Sequence, residues 1–249
     1  MFAYPDPIAR HAAATRPKDR SRQRSPRYGS AMFTVLCYGD SNTWGAIPGD
    51  DFGRYDPDVR WPGVMRRTLG DEFHVVENGL NGRTTTFDRL PRPWRSGKDL
   101  LVPTMETSHP IDVVVILLGT NDVSLPYVSV ADIVRGVGEL VSIVRSCDEF
   151  GPGGTAAPTP LVVVPHVVGT LGPDDRVLSP GAEEKSRSLG PALRAYLDTV
   201  SCHVLDLGGV VQPSDVDPWH WEADGHRAAG LAIAAKVQEI LPYRPQDSA

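Results

Sequence analysis

Residues 111–118 read IDVVVILL, a nearly unbroken apolar run that stops at Gly119. The run has the length of a single strand. A strand that is apolar toward both faces is typical of the centre of a parallel sheet covered by helices. We therefore predict a buried central strand at this point and an α/β fold around it.

The sequence on both sides of this strand alternates between strand and helix patterns. Further strands are predicted over residues 33–38, 74–77, 161–164 and 203–207. Helices are predicted over residues 61–69, 131–144, 183–197 and 223–241, and residues 87–110 indicate a long loop with a short helix. Such an alternation predicts a parallel sheet with helices on both faces. Five strands favour the doubly wound order 2-1-3-4-5, a three-layer α/β/α arrangement of the flavodoxin-like kind.

The predicted strand order also indicates where a ligand binds. In doubly wound folds the crevice lies outside the carboxyl ends of the first and third strands, where the chain connections diverge. Those strands end at Tyr38 and Leu118. Functional residues are therefore expected directly after these two positions.

The composition is that of a soluble globular protein, with 41% hydrophobic and 22% charged residues. A length of 249 residues suits one α/β domain, which we assign to residues 32–249. Residues 1–31 are rich in Arg, Ser, Pro and Ala without periodicity and are predicted to be a disordered basic arm. Residues 1–30 hold seven Lys or Arg against two Asp, so the net charge of −6 conceals a more acidic body. That acidic body argues against nucleic acid or a membrane as a partner.

No sequence feature indicates a metal, a cofactor or a disulfide framework. The three cysteines are widely spaced without a CxxC pair, and HExxH and P-loop sequences are absent. Residues 151–156 imitate a dinucleotide fingerprint, but they follow a predicted helix instead of a strand and contain Pro152. The sequence has no apolar stretch long enough to span a bilayer and no secretory signal, so we expect a cytoplasmic protein.

Both walls of the predicted crevice carry a Gly turn followed by polar residues. Residues 39–42 read GDSN after the first strand, and residues 119–122 read GTND after the third. A serine at such a turn, here Ser41, presents its hydroxyl to the crevice, and its backbone N–H can face a developing negative charge. Taken singly, Ser41 would by default be a helix N-cap, and Asn121 a turn or cap residue.

A hydroxyl nucleophile needs a base, and His220 is the strongest candidate among the seven histidines. Asp217 lies three positions earlier, and within one helical turn it can hold the imidazole in one tautomer. The alternative is an exposed Asp–His pair without function, and the convergence of three segments on one sheet edge argues against it. His166, after the fourth strand, is a second pocket candidate, whereas His226 at the start of the last helix is expected at the surface.

Four sequence blocks together closely resemble the SGNH (GDSL-type) hydrolases in order and spacing. The blocks are Gly39-Asp40-Ser41, residues 79–85 (GLNGRTT), residues 119–122 (GTND) and Asp217-x-x-His220. The resemblance covers residues 33–241. Residues 41–45 (SNTWG) and 58–61 (DVRW) are similar to the branch of short-chain arylesterases and perhydrolases. The Leu that usually follows the serine in this family is Asn42 here, a change that we do not expect to affect the chemistry.

The resemblance implies a serine esterase that hydrolyses short-chain acyl esters, either acetyl or aryl, without a cofactor. Ser41 would attack the acyl carbonyl, His220 would act as the base, and Asp217 would orient His220. The oxyanion would be held by the backbone N–H groups of Ser41 and Gly82 and by the side-chain amide of Asn121. Trp44, one turn beyond the nucleophile, is predicted to line the substrate pocket, although an ordinary core Trp is the alternative.

Other functions stay open at this point. The same acyl-enzyme could transfer its acyl group to an alcohol or a peroxide, and a carbohydrate deacetylase would use the same residues. A binding domain with an idle site is the non-enzymatic alternative, against which the intact set of site residues argues. The expected partner is a small-molecule ester, and the sequence leaves assembly into a homo-oligomer open.

Overall fold

Five parallel strands form one sheet in the part of the chain that the computed structural model describes, residues 32–88 and 92–241. The strands are β1 (Phe33–Gly39), β2 (Phe73–Gly79), β3 (Val113–Leu117), β4 (Thr159–Val164) and β5 (His203–Asp206). Their order, β2-β1-β3-β4-β5, and their parallel pairing confirm the predicted topology. The predicted disordered arm over residues 1–31 lies outside the described residues.

Helices cover both faces of this sheet, as the prediction of a three-layer fold requires. They are α1 (Ser41–Trp44), α2 (Trp61–Leu69), α3 (Gly97–Ser108), α4 (Thr120–Val123), α5 (Val130–Ser146), α6 (Pro173–Leu178), α7 (Ala182–Thr199) and α8 (Ala223–Ile240). α3, α5 and α7 bury their apolar sides against one face of the sheet, and α2 and α8 pack against the other. Within the described residues, no helix is both long and apolar enough to cross a membrane.

The buried central strand β3 explains why the fold has two cores. All five of its residues are buried. Val114 and Ile116 belong to the core on the α5 side, and Val113, Val115 and Leu117 to the core on the α2 side. Because successive side chains of a strand point to opposite faces, one short apolar run supports both layers of helices.

The register of the strands brings three loops to the same edge of the sheet. Gly39, the last residue of β1, pairs with Gly79 at the end of β2 and with Leu117 at the end of β3. The segments that follow these three strands therefore leave the sheet side by side. This edge is where the sequence predicts the functional residues.

The region over residues 87–110 contains more helix than predicted. α3 extends over 12 residues and starts from Ser96, whose side chain accepts the Asp99 N–H. Leu101 and Met105, one turn apart, are fully buried, which anchors the helix to the sheet. Pro103 stands in the middle of the helix, where a proline normally argues against a helix because it lacks an N–H donor.

Candidate active site

Ser41 lies at the turn between β1 and α1. Gly39 permits this turn, because a Cβ at that position would lie 2.0 Å from Thr43 Oγ1. The Asp40 carboxylate accepts the Asn42 N–H at 3.0 Å, so Asp40 is the N-cap and Ser41 the first helical residue. The alternative that Ser41 is an N-cap is therefore wrong, and its hydroxyl is not used to cap the helix.

His220 connects the Ser41 hydroxyl to the Asp217 carboxylate. Its Nε2 lies 2.9 Å from Ser41 Oγ, and its Nδ1 lies 2.5 Å from Asp217 Oδ2. When Nδ1 carries the proton and its N–H donates a hydrogen bond to the carboxylate, Nε2 has no proton and can accept the one from the Ser41 hydroxyl. The structure thus brings together the three residues that the sequence singles out.

The surroundings of Asp217 favour its ionised form. Partial burial by itself raises the pKa of Asp217, but the hydrogen bond and charge of His220 and the backbone N–H groups of Trp219 and Gly49 bring it below its ordinary value. The Trp219 N–H donates to Oδ1 at 2.8 Å, so Oδ2 is left for His220. An ionised carboxylate stabilises the imidazolium that forms when His220 takes up a proton.

Backbone hydrogen bonds fix the loop that carries His220. The His220 carbonyl accepts the Ser214 N–H at 2.9 Å. The Pro218 carbonyl accepts the Gly169 N–H, also at 2.9 Å. The loop is therefore held both to itself and to the segment that follows β4.

The predicted oxyanion donors line the same cleft as Ser41 and His220. Gly82 has a φ of +80°, a conformation that favours glycine. The backbone N–H groups of Ser41 and Gly82 make no hydrogen bond to another residue of the described ranges. The Asn121 amide donates to the Arg83 carbonyl at 3.0 Å, and this bond fixes the plane of the amide beside the cleft. The Asn121 amide also donates to Asp40 Oδ2 at 3.5 Å, so it is held between Arg83 and Asp40 while all three predicted donor residues border the cleft.

A buried carboxylate joins the two loops that carry these donors. Asp122, directly after Asn121, accepts the Thr85 N–H at 3.0 and 3.1 Å and the Thr85 hydroxyl at 2.6 Å. Burial raises the pKa of Asp122 to about 6, and the bonds from Thr85 oppose that rise. Asp122 and Thr85 both stand in the motif blocks at residues 119–122 and 79–85, but no local sequence pattern indicates that they are in contact.

Arg83 holds the ends of β1 and β2 at this edge. Its guanidinium donates to the Gly39 carbonyl at 2.8 Å and to the Asn78 carbonyl at 2.6 Å. It also lies over the Tyr38 ring, 4.0 Å from the ring centre, where a cation is attracted to the π face. Arg83 therefore fixes the strand ends from which Ser41 and Gly82 extend.

The loops enclose a cleft of about 710 Å³ around Ser41. Besides the predicted site residues, its lining consists of Ala46, Ile47, Gly49, Asp50, Asp51, Phe52, Asn81 and Arg92. Four of these residues have polar or charged side chains, and three have apolar ones. The cleft therefore offers a polar wall with limited apolar surface.

Trp44 is not among the residues that line this cleft. The helix α1 ends at Trp44, and the chain turns at Gly45, which has a φ of +89°. The Trp44 ring lies against the guanidinium of Arg54, 4.9 Å from the ring centre. This differs from the prediction that Trp44 lines the substrate pocket, since the ring packs on Arg54 and not against the cleft.

His166 and His226 are buried and do not line the cleft. His166 is 2% exposed, and its Nδ1 accepts the Trp221 Nε1–H at 2.8 Å. His226 is fully buried, contrary to the prediction of a surface residue, and packs between the rings of Tyr55 and Trp221. Burial, with the nearby charges of His220 and Arg60, lowers the pKa of His226 to about 3. Among the described residues, no cluster of three or more His, Cys, Asp or Glu side chains is arranged to hold a metal.

Replacement of His226 by Leu is expected to remove an acid-sensitive component of stability. In the unfolded chain His226 takes up a proton near pH 6.5, whereas in the folded protein it stays neutral down to about pH 3. The unfolded state therefore binds more protons in this window, and stability falls as the pH falls. The free energy of unfolding of His226→Leu, relative to wild type, should rise by about 2 kcal/mol between pH 7.5 and pH 5.

Urea unfolding at the two pH values measures this difference. His203→Gln, at an exposed position at the start of β5, is the control and should show the same difference from wild type at both pH values. A difference between His226→Leu and wild type that does not change with pH would contradict the assignment of His226 as a buried neutral group.

The chain is similar to known proteins both in sequence and in fold. A sequence profile of the GDSL-like lipase/acylhydrolase family matches residues 37–228. The structure is similar to that of an aryl esterase from M. smegmatis, with 33% identity, a TM-score of 0.79 and coverage of 84% of this chain and 99% of that one. It is also similar to Est24, a carbohydrate acetylesterase from Sinorhizobium meliloti, with 33% identity, a TM-score of 0.78 and the same coverage of the two chains. No curated protein matches the chain.

Proposed function

Because the chain belongs to the GDSL-like lipase/acylhydrolase family, the SGNH hydrolases, we propose that it cleaves short-chain acyl esters through a Ser41 acyl-enzyme. Membership makes it a carboxylic ester hydrolase. The observation that carries the specific mechanism is the 2.9 Å contact of His220 Nε2 with Ser41 Oγ in the cleft, with Asp217 on the other side of the ring.

The first half of the reaction forms the acyl-enzyme. Ser41 Oγ attacks the carbonyl carbon of the ester while its proton moves to His220 Nε2, and Asp217 stabilises the resulting imidazolium. The carbonyl oxygen becomes an oxyanion that accepts hydrogen bonds from Ser41 N–H, Gly82 N–H and the Asn121 amide. When the C–O bond to the alcohol breaks, the leaving alkoxide takes the proton from His220.

The second half releases the acid. Water enters the cleft and attacks the acyl carbonyl while His220 Nε2 takes one of its protons, and the same donors bind the second oxyanion. The bond from the carbonyl to Ser41 Oγ then breaks, and His220 returns the proton to Ser41. The enzyme regains its starting state, and no further co-reactant is consumed.

The limited apolar lining favours short acyl groups. In an apolar pocket that fits the acyl chain, each methylene added to that chain would contribute about 0.8 kcal/mol of binding free energy, which is roughly a fourfold rise in kcat/KM. Here the apolar lining side chains of the described cleft are Ala46, Ile47 and Phe52. We expect kcat/KM for nitrophenyl esters to be highest for acetate or propionate and to fall toward octanoate. A steady rise through octanoate, corrected by a Ser41→Ala blank, would contradict this account of the cleft.

A carbohydrate acetylesterase is the second candidate, and the polar side of the cleft favours it. Asp51, Asn81 and Arg92 line the cleft with groups that hydrogen-bond to hydroxyls. Phe52 is 92% exposed and adds an aromatic face to the same lining. Including acetylated sugars in the same ester panel, with acetate release as the readout, separates a sugar-directed enzyme from one that accepts only aryl or simple alkyl acetates.

A further inference from the structure

Asn42 departs from the family pattern and is buried next to the nucleophile. The GDSL sequence that names the family has Leu at this position, and Asn42 is only 1% exposed. Its side-chain Nδ2–H donates to the Trp219 carbonyl at 3.0 Å. The expectation that this exchange does not affect the chemistry ignores a contact that only the folded chain reveals.

This hydrogen bond joins the immediate neighbours of the two reacting groups. Asn42 follows Ser41, and Trp219 precedes His220. In the described part of the chain, this bond and the Ser41–His220 contact are the hydrogen bonds that connect residues 40–45 with residues 214–221. Other bonds of the His220 loop reach Ser214, Gly169 and the Gly49 N–H, and none of these residues lies in the turn over residues 40–45.

The orientation of the amide follows from its partner. A reversed amide would bring Oδ1 against the Trp219 carbonyl, and two acceptors would repel each other. In the observed orientation, Oδ1 is buried without a hydrogen-bond partner among the described residues. Since an unsatisfied buried acceptor costs stability, a Leu would suit packing alone better than an Asn that makes a single bond.

We propose that Asn42 is a positioning residue that holds the His220 loop at the distance at which the imidazole can take the Ser41 proton. The proposal rests on the proposed function, since it assumes that Ser41 and His220 carry out the reaction. The backbone of Asn42 is itself fixed by Asp40, which accepts its N–H at 3.0 Å. The Asn42–Trp219 hydrogen bond therefore connects the turn that carries Ser41 to the loop that carries His220. A general base must lie within hydrogen-bond reach of its proton donor, and small displacements of reacting groups are costly.

Asn42→Leu removes the donor while keeping a buried side chain of similar size. We expect kcat for nitrophenyl acetate to fall roughly five- to twentyfold, with KM within about twofold of wild type. Asn42→Asp has nearly the same shape but directs an oxygen at the Trp219 carbonyl, and its kcat should fall by at least the same factor. If Asn42→Leu does not fold, Asn42→Asp provides the same test.

A double-mutant comparison separates positioning from structural damage. If Asn42 acts through His220, Asn42→Leu should have less than a twofold effect on the residual activity of His220→Ala. Thr43→Val is the matched control: Thr43 is equally buried and bonds to Trp61 Nε1 but not to the His220 loop. It should lower the melting temperature and leave kcat within about twofold of wild type.

Two results would overturn the proposal. One is a kcat within twofold of wild type for both Asn42→Leu and Asn42→Asp. The other is the same fold-loss from Asn42→Leu in the wild-type and His220→Ala backgrounds. If Ser41→Ala retained full activity, both the proposed function and the positioning role of Asn42 would be wrong. If activity depends on Ser41 but not on Asn42, only the positioning role of Asn42 is wrong, and the proposed function stands.

Discussion

Ser41→Ala is expected to lower kcat for ester hydrolysis by about four to six orders of magnitude while the fold stays intact. The substitution removes the oxygen that lies 2.9 Å from His220 Nε2, and no other described hydroxyl makes a hydrogen bond to that ring. The N-cap of α1 is Asp40, so the helix keeps its cap in the variant. Steady-state hydrolysis of nitrophenyl acetate measures the loss of kcat, and circular dichroism with thermal unfolding measures whether the fold is intact.

Ser96→Ala is the matched control for the loss of a buried serine. Ser96 is 3% exposed and is the N-cap of α3, a role that Ser41 does not have. Loss of this cap should cost about 1 kcal/mol of stability and leave kcat unchanged. If Ser41→Ala kept a tenth or more of wild-type activity after repeated purification, Ser41 would not be the nucleophile.

Asp217→Asn is expected to reduce kcat by about 10⁴ with a much smaller change in KM. In the wild type, Asp217 Oδ2 accepts a hydrogen bond from His220 Nδ1–H, with 2.5 Å between the two heavy atoms. An asparagine amide can instead donate to Nδ1, which moves the imidazole proton to Nε2. Nε2 would then face the Ser41 hydroxyl as a donor and could no longer accept its proton. The His220 ring would keep its position, but its proton would be on Nε2 instead of Nδ1.

Asp215→Asn tests whether loss of any nearby carboxylate has the same effect. Asp215 lies two residues before Asp217 and is exposed. Asp215→Asn should leave kcat within about twofold of wild type, since solvent screens the charge of an exposed side chain. Equal losses in the two variants would mean that Asp217 acts through its charge alone and not by orienting His220.

The fold could be predicted from the sequence because its deciding signals are local. The apolar run at β3 and the Gly turns after β1 and β3 each lie within a few residues. The order of the strands then follows from general rules for parallel sheets. α2 has the predicted bounds, since its apolar spacing lies between a start at Trp61 and a stop at Gly70. The helix α3 was harder to predict because Pro103 weakens its pattern.

Much of the candidate site could also be located in advance, because Ser41 and Asn121 directly follow strand ends that meet at one sheet edge. What could not be predicted are contacts across the chain. The Asp122–Thr85 bonds and the Asn42–Trp219 bond join residues far apart in sequence, and no periodicity indicates them. The direction of the Trp44 ring and the burial of His226 likewise depend on how a short helix or a helix start meets its neighbours.

Labelling with a fluorophosphonate tests whether Ser41 is the nucleophile, because an activated serine oxygen displaces fluoride from such a reagent and becomes covalently bonded to its phosphorus. We expect one phosphonyl group per chain, located by peptide mapping on Ser41, with activity lost in proportion to labelling. Ser41→Ala should take up no label, and Asp217→Asn should react far more slowly than wild type. A label on a different residue, or full ester hydrolysis after complete labelling of Ser41, would contradict the account.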